Sequence, residues 1–395
     1  MVVLAVLALS LTAHAQDGPD MEVTGDTILV GASMPLSGSG AVFGIYSKGV
    51  QAYFNYINDN GGVRGKQLKL KLYDDADDPS RTMRNVRRLV ENDNVFAVGF
   101  IVGTAHNLGV RSYLNNRNIP HILANSGHDE FGNPVSSKKY PLTTVFLPSY
   151  ALESSVAARY LIEHKPKCKV AILRQNDDQG KSLLEGFRKA IEGTDIEIVA
   201  IQVFGLGDPS VLGAVQVLAQ SGADVFLNYS SGTYTTQAIS KMAELDWRPL
   251  TFLISWNVAL STLEPAGLHN AKGFMAAAYL KTPTDPMWND DEGMKWYRQT
   301  VEKYLPGTDP NQQGVAYGFT EAEIFVTALK KAEKLTRSAL ITSLRNLKDE
   351  KMTLLVPGIT ASTDESQDQY WVINSLALRR FDGEGWKDTG DVYTW

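Results

Sequence analysis

Cysteine is nearly absent from this chain. The single residue, Cys168, rules out an internal disulfide. Its place beside the apolar stretch 169–173 predicts a half-buried structural thiol. Histidine is scarce as well: there are six, and none falls in an HExxH or Cys/His spacing, so no zinc motif is present. Positive charge is in deficit, with 38 Lys and Arg against 44 Asp and Glu. A net charge of −6 without a basic cluster argues against nucleic acid or an anionic membrane surface as a partner. Low-complexity tracts and short-period repeats are missing. So is any apolar run of the ~20 residues that a membrane span needs. The longest run, residues 1–13, ends at Thr12-Ala13-His14-Ala15 and leads into an acidic stretch. That pattern predicts a secretory signal cleaved after Ala15 and a periplasmic protein, although no Lys or Arg precedes Lys48. No Cys follows the run, so no lipid anchor is expected.

Motifs for catalysis nearly form and then fail. Gly38-Ser39-Gly40 follows a strand, but Phe43 stands where a dinucleotide fingerprint needs its third glycine. Gly180-Lys181-Ser182 lacks the leading glycine of a P-loop, since Gln175 occupies that place. Gly31-Ala32-Ser33-Met34-Pro35 has proline where a nucleophile elbow needs glycine. Asp74, Asp75, Asp77 and Asp78 lack the glycine and terminal glutamate of a calcium loop and read as a solvated turn with helix caps before Pro79. No enzyme, metal or cofactor is expected.

What is present is alternation. Strand patterns at 27–34, 68–73, 95–99 and 121–124 alternate with helical spacing at 44–59, 80–92 and 106–117. The pattern restarts with helices at 151–164, 180–192, 209–221 and 233–245 among strands at 169–173, 197–203, 225–229 and 251–254. A strand at 273–279, three helices at 291–304, 316–332 and 337–346, and a hairpin over 370–381 with its turn at Phe381-Asp382-Gly383 complete it. The three consecutive helices cannot build a sheet of their own and should pack back on the first half. This is an α/β chain of two doubly wound parallel-sheet lobes.

The candidate site lies at strand ends. One strand runs into Gly103-Thr104-Ala105, and the next into Asn125-Ser126-Gly127-His128. Each end offers a hydroxyl and backbone N–H groups, the equipment with which helix N-termini hold carboxylates. In open α/β sheets, ligands sit outside the carboxyl ends of strands. The bland reading of Thr104 and Ser126 is simple helix capping.

The ordered set Gly31-Ala32-Ser33-Met34-Pro35-Leu36-Ser37-Gly38, Ile57-Asn58-Asp59-Asn60-Gly61-Gly62-Val63-Arg64-Gly65-Lys66, Asp74-Asp75, Arg88-Leu89-Val90-Glu91, Gln175-Asn176-Asp177-Asp178-Gln179-Gly180, Ser221-Gly222-Ala223-Asp224-Val225 and Val356-Pro357-Gly358 resembles the branched-chain amino acid binding proteins of ABC importers. These are type I periplasmic solute-binding proteins, and the likeness spans about residues 27–390. It implies lobes made of 27–147 with 279–355 and of 148–278 with 356–395, joined by a three-crossover hinge near 148, 278 and 356. It implies a carboxylate held by Thr104, Ser126 and the N–H groups of Gly103, Ala105, Gly127 and His128, with Phe43 as a cover. Tyr150, Gln179, Tyr229, Ser230, Ser231, Trp256 and Asn257 would close from the second lobe. Family members that bind amino acids usually carry an acid near the position of Trp256-Asn257, and here 253–263 has none. A buried ammonium needs a partner, so the expected ligand is an apolar or aromatic acid without an α-ammonium, delivered by a monomer to permease subunits. An amino acid binder of the same fold and a ligand sensor for a signalling partner are the alternatives.

Overall fold

A computed structural model describes residues 20–38, 40–205 and 207–394. The signal-peptide segment 1–15 lies outside the described residues. The first half runs β1 (Thr27–Met34), α1 (Tyr46–Asp59), β2 (Gln67–Asp74), α2 (Pro79–Glu91), β3 (Ala97–Gly99), α3 (Thr104–Asn116), β4 (His121–Ala124), α4 (Pro134–Lys139) and β5 (Thr143–Val145). The second runs α5 (Tyr150–His164), β6 (Lys169–Gln175), α6 (Asp178–Ala190), β7 (Glu197–Phe204), α7 (Leu212–Ala219), β8 (Val225–Tyr229), α8 (Thr233–Glu244), β9 (Leu250–Leu253), α9 (Leu260–Leu263) and β10 (Met275–Ala278). After it come α10 (Glu292–Tyr304), α11 (Gln313–Lys331), α12 (Arg337–Leu344), β11 (Ser375–Phe381) and β12 (Trp386–Thr394).

Two sheets result. The first is parallel throughout, in the order β2-β1-β3-β4-β5. The second has the order β12-β11-β10-β9-β8-β6-β7. It is parallel from β7 to β10, but β11 and β12 join antiparallel, so it is mixed rather than purely parallel. Short apolar strands such as β3, β4 and β8 are buried on both faces, as parallel sheets covered by helices require. As expected, α10 and α11 pack back on α1, and α11 and α12 reach β4 and β5 of the first sheet. The chain therefore passes between the sheets three times: after β5, after β10 and before β11.

The hairpin sits later than expected. Residues 370–374 are not strand, because Trp371 is spent elsewhere: it bridges to Val145 and packs with Ala124, Phe131 and Val145 at the edge of the first sheet. The aspartate turn also differs from its solvated reading. Asp78 caps α2, but Asp75 is fully buried and accepts from the hydroxyls of Ser33 (2.9 Å) and Thr82 (3.0 Å).

Candidate functional site

The carboxyl ends of β3 and β4 carry left-handed backbone at Phe100 (φ 61°) and Leu123 (φ 48°). Bulky residues take this conformation at a cost of about 1–2 kcal/mol each. Beyond these residues the two segments stay paired, through a bridge between Val102 and Asn125. There Thr104 Oγ1 and Ser126 Oγ lie 2.8 Å apart, both buried. Gly103 precedes α3 with φ 101°, and a Cβ there would sit 2.5 Å from His106 Nδ1, so only glycine fits. Among the described residues, no side chain caps α3. Its first N–H groups, those of Thr104 and Ala105 among them, keep the partial positive charge of a helix start.

Two of the expected donors are engaged within the protein. The Gly103 N–H donates to the Asn125 carbonyl (3.1 Å) and the His128 N–H to Ser126 Oγ (3.2 Å). The His128 ring accepts from the Glu130 N–H and so caps a short turn. Gly127 ties the loop to the first crossing, since its carbonyl accepts from the Tyr150 N–H at 2.8 Å. Asn125 Nδ2 donates to Glu321 Oε1 on α11 (2.7 Å).

Tyr150 links the halves. Its phenol lies beside the Thr104 hydroxyl, with its pKa pushed up to about 12 by burial. Its ring meets that of Trp256 edge-on at 6.2 Å. Trp256 Nε1 donates to Ser231 Oγ at 3.2 Å. Phe43 is half-buried, edge-on to Tyr46 at 6.1 Å, and Tyr46 stacks on Tyr317 at 5.3 Å. Gln179 lies in the first turn of α6, and its buried Nε2 has no partner among the described residues.

Ser230 and Asn257 are both engaged in hydrogen bonds within the second half. The Ser230 hydroxyl is fully buried between Asn228 and Thr235. Asn257 accepts from the Gly232 N–H (3.2 Å) and donates to the Ser230 carbonyl, clamping the loop after β8 to the loop after β9. Asn257→Ala is expected to cost about 1–3 kcal/mol, the usual cost of orphaning buried hydrogen-bond partners. Urea unfolding of the two proteins measures it.

Sequence reasoning missed the acids. Glu153 on α5 is buried, and it accepts from the Ser255 N–H, in the very loop where no acid was found. Burial raises its pKa to about 7. The phenols of Tyr150, Tyr229, Tyr279 and Tyr317 all feel its charge. Among the described residues, the Tyr229 hydroxyl has no hydrogen-bond partner. On α11, Glu321 is raised well above the usual carboxyl range by burial, and its Oε2 likewise has no hydrogen-bond partner among the described residues. The available signal was an acid on an otherwise apolar helix face, one turn after a tyrosine: Tyr150 then Glu153, and Tyr317 then Glu321.

A family model for periplasmic binding proteins matches residues 27–376. The chain belongs to the periplasmic binding protein family. Membership makes it a binding protein rather than an enzyme. It is 23% identical over 228 residues to the leucine-, isoleucine-, valine-, threonine- and alanine-binding protein of Pseudomonas aeruginosa, covering 56% of this chain and 59% of that one. The chain spans 52–59% of the length of the first curated relatives it matches. Its fold is similar to that of a branched-chain amino acid ABC transporter protein from Thermus thermophilus with bound valine (TM-score 0.81, 17% identity, 93% of this chain, 97% of the other). It is also similar to a fatty acid ABC transporter substrate-binding protein from Thermomonospora curvata (TM-score 0.75, 20% identity, 96% and 95%). A two-lobed type I periplasmic binding protein fold is therefore shared with proteins whose names cover different ligands.

Proposed function

We propose that this periplasmic binding protein is the extracytoplasmic component of an ABC importer and closes on a small solute bearing a carboxylate. The observation that carries this reading is the Thr104–Ser126 hydroxyl pair at the uncapped start of α3. A carboxylate there would take hydroxyl and N–H donors and the favourable end of a helix dipole. The lobes would be 27–147 with 279–355 and 148–278 with 356–395. Ligand held by the first would add contacts to Tyr150, Tyr229 and Trp256, shifting the population toward the closed form that permease subunits read. The chain would be exported to the periplasm as a monomer, its signal cleaved near Ala15.

The geometry favours an α-amino acid. Glu153 supplies the buried acid that the loop 253–263 lacks, close to Tyr229 and beside Ser255. The relatives named for leucine, isoleucine and valine agree with it. A second reading is an apolar or aromatic acid without an ammonium. It is favoured by the same carboxyl, which with a pKa of about 7 is half neutral at pH 7 and then needs no cation. The fatty acid transporter protein of the same fold agrees with that.

A thermal-shift screen of the refolded chain separates the two. Leucine and valine are compared with benzoate, phenylacetate and octanoate. A ligand at 100 times its Kd stabilises by about 2.7 kcal/mol. A shift with leucine or valine alone gives the amino acid reading, and a shift with the acids alone gives the other. No shift with any carboxylate overturns the proposal.

A further inference from the structure

A cavity of about 350 Å3 lies in the half of the molecule that carries the larger sheet. It opens at the amino ends of β9 and β10, against Leu250 and Phe274. The loops that carry Trp256 and Tyr279 leave the opposite, carboxyl ends of those strands, so this cavity is remote from the site between the sheets. β11 runs antiparallel to β10, which sets Arg380 opposite Met275 at the mouth.

The lining holds Arg248, Lys272, Arg380 and His269 and no acid. In a chain of net charge −6 that is a local reversal of sign. Arg248 is partly occupied, pairing with Asp246 at 3.3 Å and donating to Asn270 at 3.3 Å. Lys272 and Arg380 take part in no ion pair among the described residues. The acid nearest in sequence to Arg380, Asp382, is committed: it accepts from the N–H groups of Glu384 and Gly385 and pairs with Lys387 at 3.4 Å. Trp247 supplies a rigid apolar wall, held by its Nε1 bond to the Ala223 carbonyl and by packing on Phe226 at 5.1 Å.

We propose that this cavity is a second binding site, for a small polyanion with at least two phosphate or carboxylate charges. Guanidinium groups hold such oxygens through paired, charge-assisted hydrogen bonds, and the volume falls in the range of small-molecule sites. Lys272 and Arg380 are the principal ligands, with Arg248 swinging from Asp246 as a third. Both principal side chains are exposed, so replacing them leaves the fold intact.

Titration calorimetry with pyrophosphate and with citrate, at moderate salt, tests the site. The expected result is saturable binding of one anion per chain. Affinity should be about tenfold weaker in Lys272→Gln and weaker still in Lys272→Gln/Arg380→Gln. The fluorescence of Trp247 should respond, and a Trp247→Phe variant should lose that response while still binding. Binding that does not saturate, or that persists unchanged in the double variant, overturns the proposal. Pyrophosphate binding without citrate binding assigns phosphate chemistry, and the reverse assigns carboxylates.

Discussion

Gly318→Val is expected to leave no folded protein, and Gly318→Ala to lower stability by about 3 kcal/mol or more. A Cβ at Gly318 would stand 1.9 Å from the Tyr46 carbonyl oxygen, and one at Gly49 would stand 2.0 Å from that of Val315. The two glycines face each other where α1 and α11 cross with their backbones nearly touching. Overpacking of a well-filled core ordinarily costs 1–3 kcal/mol when side chains can give way. Here the obstacle is backbone on both helices, so the helices themselves must part. That would separate Tyr46 from Tyr317, which stack at 5.3 Å beside the candidate site. Urea unfolding of the alanine variant, and soluble yield of the valine variant, measure the effect. A loss below about 0.5 kcal/mol for the alanine variant would show that the crossing is looser than this.

The second large effect is a pH dependence set by Glu153. Its pKa is raised from 4.5 to about 7, chiefly by burial and against the favourable bond from the Ser255 N–H. Between those values the folded chain holds a proton that the unfolded chain has lost. Its contribution to stability is therefore fully present below pH 4.5 and is lost as the pH rises through 7. The total is about 3 kcal/mol. Glu321 is shifted the same way by burial, so the wild-type slope has more than one source. The difference between wild type and Glu153→Gln isolates the Glu153 part, since the amide still offers an oxygen to Ser255. The expected outcome is a wild-type curve falling from pH 5 to 7.5 more steeply than that of the variant. If an ammonium is the natural partner of Glu153, ligand binding near pH 7 also releases a proton. Calorimetry in two buffers of different ionisation enthalpy detects that release, and an acid without an ammonium would not cause it.

The fold was legible wherever an element carried its own signal. The alternation from Thr27 to Ala124 and the run of three helices after residue 290 were sufficient to place α10, α11 and α12 against the first sheet. Strand β5 was invisible because three residues, Thr143–Val145, carry no periodicity. The hairpin was misplaced because Trp371 looks like strand composition but is used as a plug against Val145. The proximity of Thr104 and Ser126 was legible because each follows its strand within a few residues and needs only local reasoning. Tyr46, Glu153, Tyr279, Tyr317 and Glu321 were not, because they converge from four separate elements. The left-handed backbone at Phe100 and Leu123 has no signal at all, since neither residue favours positive φ. Glu153 escaped notice for the same reason: it lies on α5, and only the fold brings it to the loop after β9.

We propose that Thr104 and Ser126 together hold the carboxylate of the ligand. Calorimetric titration of the refolded wild type and of Thr104→Val/Ser126→Ala, with whichever carboxylate stabilises the chain most, tests it directly. The predicted result is one site per chain in the wild type and an affinity about a hundredfold weaker in the variant, the loss of two hydrogen bonds to a charged group, with the ligand-free variant still folded although about 1–3 kcal/mol less stable, since the His128 N–H loses its acceptor. Equal affinity in the two proteins would place the ligand elsewhere and contradict the account.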